Sequence, residues 1–371
     1  MKRIALTILM LASLCFTSAA QQFVWNLDFS YYFNNMEYAR SHELFDVSGT
    51  VNAARLTPSI GVSVAQGENI RHRLMGGVDM LKNMGEGVQN LGLFKEITCW
   101  YDVNVRFGDD SYFSAAAGCF PRSFSEGDYR GPFFDGNTLF YDNNLEGMFF
   151  KFRNRRVYAE IGLDWLGMIG DAQNPDRHER FQVLSSGSWN FTRTLSLRWT
   201  GMFYHYACSP NNPVVIDNHM IYPHLQWEPD TWFDSLSINA GYILTYQWDR
   251  KHESNVRTPS GFYSTQTLSK WHVGLENRFY AGDDLQPLYA TYGSDLYMGE
   301  PSFHTLSGST AMYDRLAVYY RPHVTGWMDL TVAAVFNFGS PSPDAIIPIP
   351  AYRGCRQVCA LTINLDRLYE R

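Results

Sequence analysis

From Leu236 to Asp249 the chain alternates. Leu236, Ile238, Ala240, Tyr242, Leu244, Tyr246 and Trp248 form one row; Ser237, Asn239, Gly241, Thr245, Gln247 and Asp249 form the other, with Ile243 out of phase. Period two is the strand signature, because successive side chains point to opposite faces of a sheet. The pattern returns at 157–169, where Val157, Ala159, Ile161, Leu163 and Trp165 oppose Tyr158, Glu160 and Asp164. It returns at 270–281, where Trp271, Val273, Leu275 and Phe279 oppose Lys270, His272, Glu276 and Arg278, and in the row Met328, Leu330, Val332, Ala334, Phe336 and Phe338.

Extended along the chain, the pattern predicts strands near 22–33, 55–66, 70–82, 92–107, 111–121, 144–153, 156–169, 179–190, 193–207, 213–228, 235–249, 265–281, 285–293, 311–322, 326–339 and 353–369. That is about sixteen, with roughly 14 or 18 allowed by drifting boundaries. Pro287 and Gly293 make 285–293 the least regular of them. Every second connection is short: 65–70, 108–110, 154–155, 191–192, 229–234, 282–284 and 322–326. Most of the others are long, with 122–143, 250–264 and 294–310 expected outside the cell. Strands of ten or more residues match a tilted membrane span, and short periplasmic turns alternating with long external loops match an outer-membrane barrel. The expected fold is all-β, a transmembrane antiparallel up-and-down β-barrel over residues 21–371.

The N-terminus adds the route of export. Lys2 and Arg3 precede a 13-residue apolar run, Ile4–Phe16, and then Thr17-Ser18-Ala19-Ala20. This reads as a signal peptide, residues 1–20, cut after Ala20; the run is short of the ~20 residues a membrane helix needs. Leu14 before Cys15 is too bulky for a lipidation signal. Without the signal the formal charge is 28 − 37 = −9, which argues against a nucleic-acid partner. Aromatics reach 16% while charged residues make up 18%, a balance suited to two interfacial aromatic belts.

Architecture and composition resemble the porin-like outer-membrane barrels of Gram-negative bacteria. The stretches Asn277-Arg278-Phe279-Tyr280-Ala281-Gly282-Asp283-Asp284 and Tyr292-Gly293-Ser294-Asp295-Leu296-Tyr297 are similar to uncharacterised barrels of the Bacteroidota. The resemblance implies a fold and a place in the outer membrane, and brings no catalytic residues. Such barrels end on an aromatic read by the assembly machinery; here Tyr369 stands two residues before the end.

Catalytic motifs are not found. Gly85-Glu86-Gly87 lacks the third glycine of a phosphate loop, Gly61-Val62-Ser63-Val64-Ala65 lacks the last glycine of a nucleophile elbow, and His252-Glu253 lacks the second histidine of a zinc helix. Asp142, Asn144 and Glu146 alternate oxygens, but fall short of the six or so ligands that Ca²⁺ takes. His205 and Ser185 fall on outward faces about three residue pairs apart, too far for proton transfer at roughly 3.3 Å per residue. No cofactor or enzyme activity is therefore expected.

Function is expected in the lumen. Parity turns Arg71, Arg73, Asp79, Glu96, Asp102, Arg106, Arg153, Glu160, Asp164, Arg180, Arg198, Lys270, Glu276, Arg278, Arg315 and Arg321 inward, with Tyr158, Tyr204, Tyr206, Tyr222, Tyr280, Tyr313 and Tyr319. Such a lining suits a porin-like channel for small hydrophilic solutes, and equally a self-satisfied network that stiffens the wall. The alternatives are a barrel enzyme acting on lipid or peptide at the outer leaflet, or a transporter for apolar solutes plugged by loops. Expected partners are outer-membrane lipid and lipopolysaccharide, small hydrophilic solutes and the barrel-assembly machinery. Finally, pairing Phe107 with Ser111 makes Cys99 and Cys119 direct cross-strand neighbours, since 107 + 111 and 99 + 119 are equal.

Overall fold

The computed structural model describes residues 21–38, 48–85, 92–207, 209, 211, 213–304, 311–341 and 350–365. The signal segment 1–20, Cys208 and Tyr369 lie outside these.

Sixteen strands among the described residues close into one antiparallel barrel in chain order, with β1 beside β16. They are β1 (Gln21–Tyr38), β2 (Gly49–Gln66), β3 (Ile70–Asn83), β4 (Phe94–Phe107), β5 (Ser111–Pro121), β6 (Asn144–Arg153), β7 (Val157–Gly167) and β8 (Glu179–Asn190). The circuit continues with β9 (Leu195–Ala207), β10 (Val215–Trp227), β11 (Ser235–Asp249), β12 (Ser260–Lys270), β13 (Val273–Gly282), β14 (Ala311–Tyr320), β15 (Met328–Gly339) and β16 (Tyr352–Asn364). Closure leaves no strand edge unpaired, which a bilayer demands. Outward rows carry Ile60, Leu74, Ile97, Ile161, Leu225 and Leu244, all exposed where lipid would cover them. At the short-turn end, exposed Phe107, Trp189, Trp227, Trp232, Trp271 and Tyr320 form an interfacial belt. Cys99 pairs with Cys119 in the expected register, and both thiols are free.

Two expected strands are wrong. The run 265–281 is broken after Lys270 by a turn at Trp271-His272, whose φ angles of 49° and 73° are those of a tight hairpin. The run 285–293 is not a strand, since Pro287 and the left-handed Gly293 (φ 55°) prevent it. Residues 282–284 therefore open a long loop on the external side and do not form a periplasmic turn. Lys270 changes face as well. It ends β12 opposite the lipid-facing Val273, and its ammonium lies over Trp232 and Trp271 in the belt, outside the lumen.

The expected external loops 122–143 and 294–310 behave differently too. Residues 122–143 and 283–304 fold down into the barrel. Phe133, Phe134, Leu285, Leu296, Tyr297 and Phe303 are at most 3% exposed, against inward Phe120, Phe149, Leu184, Met202, Ile216 and Ile243 of the wall. The misfit Ile243 is thus an inward residue with an apolar partner. Burial of this kind stabilises by roughly 1.5–3 kcal/mol per large apolar side chain. The loops are tied to each other by Glu300 N–H to Gly131 O and Asp135 N–H to Met298 O, both at 2.8 Å. A methyl group on Gly299 would lie 2.1 Å from Pro132 O, so glycine is required at this crossing.

Candidate functional site

The polar inward rows act largely as anchors for the infolded loops. Glu160 of β7 accepts from Ser125 Oγ (3.0 Å), Glu126 N (2.9 Å), Gly127 N (2.8 Å) and Tyr129 Oη (3.0 Å). On the far side, a short helix over Gly136–Tyr141 rests on Tyr32 of β1 through Phe140, and Arg55 of β2 donates to its last carbonyls. Glu300 accepts from Tyr313 Oη at 2.6 Å and faces Arg278 (3.9 Å) and Arg315 (3.7 Å). Burial alone would raise its carboxyl, but Arg315, Arg356 and Arg278 hold it down at about 2. Tyr204 donates to Asp295 O and Asn218 to Leu296 O, closing the circuit.

The remaining inward residues are placed as follows. Arg55 pairs with Asp79 (2.8 Å), Arg73 with Asp102 (2.9 Å), and Glu276 with both Arg278 and Arg315 (2.9 Å each). Glu96 accepts from Cys119 and Asn144, Asp164 from Gln182, and Arg153 pairs with Glu126. Arg180 lies 3.9 Å from Asp295. Arg71, Arg106 and Arg321 sit at the periplasmic end, where Arg106 donates to Gly108 O and Arg321 to Thr331. Asp142 is salt-bridged to Arg122, and burial pushes its carboxyl up to about 6 against that pull. Below the loops a polar cavity of about 440 Å³ opens toward the periplasm, with Arg198, His224, Asn239 and Thr267 on its wall.

A different constellation stands on the outside of the barrel. His205 does not meet Ser185, which pairs with Gly201 and accepts a hydrogen bond from Trp199 Nε1 at 3.2 Å. Its cross-strand partner is Asp217 of β10, with His205 Nδ1 3.1 Å from Asp217 Oδ1. Arg250, just past β11, donates from Nε to Asp217 Oδ2 at 2.7 Å. The odd-numbered row of β10 also carries exposed Leu225 and Trp227, so Asp217 belongs to the lipid-facing side. Around the group lie Phe181 (5.0 Å from the His205 ring), Trp165 stacked on Phe181, and His219 stacked on Tyr246. Such a band of aromatics marks the outer membrane–water interface. A carboxylate on a lipid-facing wall is costly unless paired, and here both oxygens are used. Asp217 was legible in principle, since 205 + 217 equals 207 + 215, the pair that closes the β9–β10 strands.

Two other histidine–carboxylate pairs are less suited to substrate. His304 and Asp284 (3.0 Å) are covered within the infolded loops, and Asp249 beside His252 also holds Tyr292. Asp142, Asn144 and Glu146 do not converge on a cation, because the Asn144 amide donates to Asp79 and Glu96.

Fold and rim together define an outer-membrane β-barrel with ionisable chemistry on its outer-leaflet face. Within that class the chain belongs to the lipid A 3′-O-deacylase-type family, whose model matches residues 16–326. This family is an enzyme family, and membership overturns the expectation of a barrel without enzymatic activity. No curated protein matches the chain in sequence. Among solved structures it is similar to a loop-deletion form of OmpT, an outer membrane protein of Vibrio cholerae, with TM-score 0.54, 9% identity, and 93% of this chain and 99% of that chain covered. It is also similar to an anion-selective porin from Comamonas acidovorans, with TM-score 0.53, 10% identity, and coverage of 94% and 100%. At such identities the likeness is one of fold.

Proposed function

We propose that this barrel hydrolyses an acyl ester of outer-leaflet lipid, with lipid A as the substrate class, at the His205–Asp217–Arg250 group. The observation that carries the reading is a paired His–Asp couple on the lipid-facing wall at headgroup level. Asp217 accepts from Nδ1–H and so fixes the tautomer, leaving Nε2 as the basic nitrogen. Water at the interface gives a proton to Nε2 as its oxygen adds to the ester carbonyl. Collapse of the tetrahedral species breaks the ester C–O bond, and Nε2–H returns the proton to the departing sugar alkoxide. Arg250, half-exposed while it pairs with Asp217, has further N–H groups for the oxyanion or a phosphate.

A porin-like channel has less support. The inward polar rows favour it, but the infolded loops fill the outer half of the lumen and the periplasmic cavity ends on them.

The test is fatty-acid release from lipid A in vesicles by the refolded protein. Wild type should release free acid; His205→Gln should lower the rate by about 10²–10⁴, the range of general-base catalysis. Release undiminished in His205→Gln would remove the group from the chemistry.

A further inference from the structure

The periplasmic mouth carries a second, unassigned feature. Arg155 and Arg156 lie in the turn between β6 and β7, Arg193 in the turn between β8 and β9, and Arg198 one step up β9. All four line one cavity of about 420 Å³, where Glu228 is the single acidic residue. None forms an ion pair among the described residues, and Arg198 Nε is buried without a hydrogen-bond partner. Arg198 also lines the larger cavity above, so the two spaces are adjacent. This contrasts with Arg55, Arg73, Arg278 and Arg315 of the barrel wall, each engaged by a carboxylate, in a chain whose formal charge is −7.

Four guanidinium groups sharing one rim repel one another, and an oxyanion removes that repulsion while accepting their N–H groups. Guanidinium forks match phosphate geometry, and charge-assisted bonds of this kind are about twice as strong as neutral ones. A low-dielectric wall beside the rim focuses the positive field on anions approaching from the periplasm. Phe191, exposed beside Arg193, sets the rim at the level of the inner-leaflet headgroups. We infer that the Arg155–Arg156–Arg193–Arg198 rim is a phosphate-binding site open to the periplasm, independent of the outer-rim chemistry. Its ligand is a phosphomonoester or phosphodiester group, from a phosphorylated solute entering the cavity or from an inner-leaflet phospholipid.

Two arms separate these sources. Titration calorimetry in dodecyl maltoside uses glucose 6-phosphate, with glucose as the uncharged control. Native mass spectrometry of protein in phosphatidylcholine nanodiscs doped with phosphatidylglycerol counts retained anionic lipid. Wild type should bind glucose 6-phosphate but not glucose, or retain phosphatidylglycerol, and the arm that responds names the source. The double variant Arg193→Gln/Arg198→Gln should weaken that binding tenfold or more, and Arg156→Gln should weaken it to a lesser degree. Lys251→Gln, in an external loop, should leave it unchanged. Folding of each variant is checked by its heat-modifiable gel mobility. Equal binding by wild type and the double variant, or no binding in either arm, would overturn the assignment.

Discussion

Replacing Glu300 by Gln tests whether the infolded loops are latched by charge. In the native barrel Glu300 is 4% exposed, and its carboxyl is held at about 2 against an ordinary 4.5. A depression of that size corresponds to about 3 kcal/mol favouring the ionised, docked state. Gln keeps the shape and one acceptor for Tyr313 but leaves Arg278, Arg315 and Arg356 facing a neutral group. Protection of the loop amides against hydrogen exchange, read by mass spectrometry over 283–304 and 125–135, should fall by about 10²-fold at neutral pH. The sign for pH follows from the depressed carboxyl. The stabilisation is fully present above about 4.5, and is lost as pH falls toward about 2. Wild-type protection over 283–304, corrected for the intrinsic exchange rate, should therefore weaken across that acid window. The variant should weaken less there, other loop-holding carboxylates such as Glu160 being common to both proteins. Unchanged protection in Glu300→Gln would refute the latch and with it the view that the inward charges serve to hold the loops.

Leu244→Arg places a charge on the lipid face and should hinder insertion, at a cost of roughly 2–4 kcal/mol near the midplane, while Asn239→Arg, inward beside the periplasmic cavity, should insert normally; equal damage in refolding yields would mean the faces are misassigned. Trypsin added to whole cells should cut at Lys251 or Arg257 in the external β11–β12 connection and spare Arg130, which is folded into the barrel; cleavage at Arg130 would contradict the infolded loop. Alkylation of the unreduced protein should label both Cys99 and Cys119, since Cys119 Sγ turns to Glu96 at 3.4 Å; a bridged peptide in the mass spectrum would contradict this.

How much the chain announces depends on how local the signal is. Alternation is local, so the wall and its faces were legible in rows such as Leu236–Trp248. Hairpin sums carried that information across a tight turn to the Cys99–Cys119 pair. Lys270 was misplaced because Trp271-His272 turns the chain with positive φ and none of the glycine or asparagine that usually marks such a turn. The infolded loops have no period to read. Their trace in the sequence is a set of apolar residues on inward rows, Phe120, Phe149, Leu184, Met202 and Ile243, each awaiting a partner that a water-filled lumen would not supply. The outer-rim group was missed for a related reason: His205 was compared with Ser185 on the strand before it, while its partner Asp217 lies across the longer β9–β10 connection.

The central claim is that the His205–Asp217 couple removes an acyl chain from lipid A. The most direct measurement is the mass of lipid A from Gram-negative cells that express the chain, against cells expressing Asp217→Asn, a substitution that keeps shape but removes the charge orienting the imidazole. Wild type should shift lipid A down by the mass of one fatty acyl group, and the variant should leave most of it at full mass while reaching the outer membrane in equal amount. An identical acyl loss in both would show that the chemistry lies elsewhere; intact lipid A in both would contradict the hydrolase.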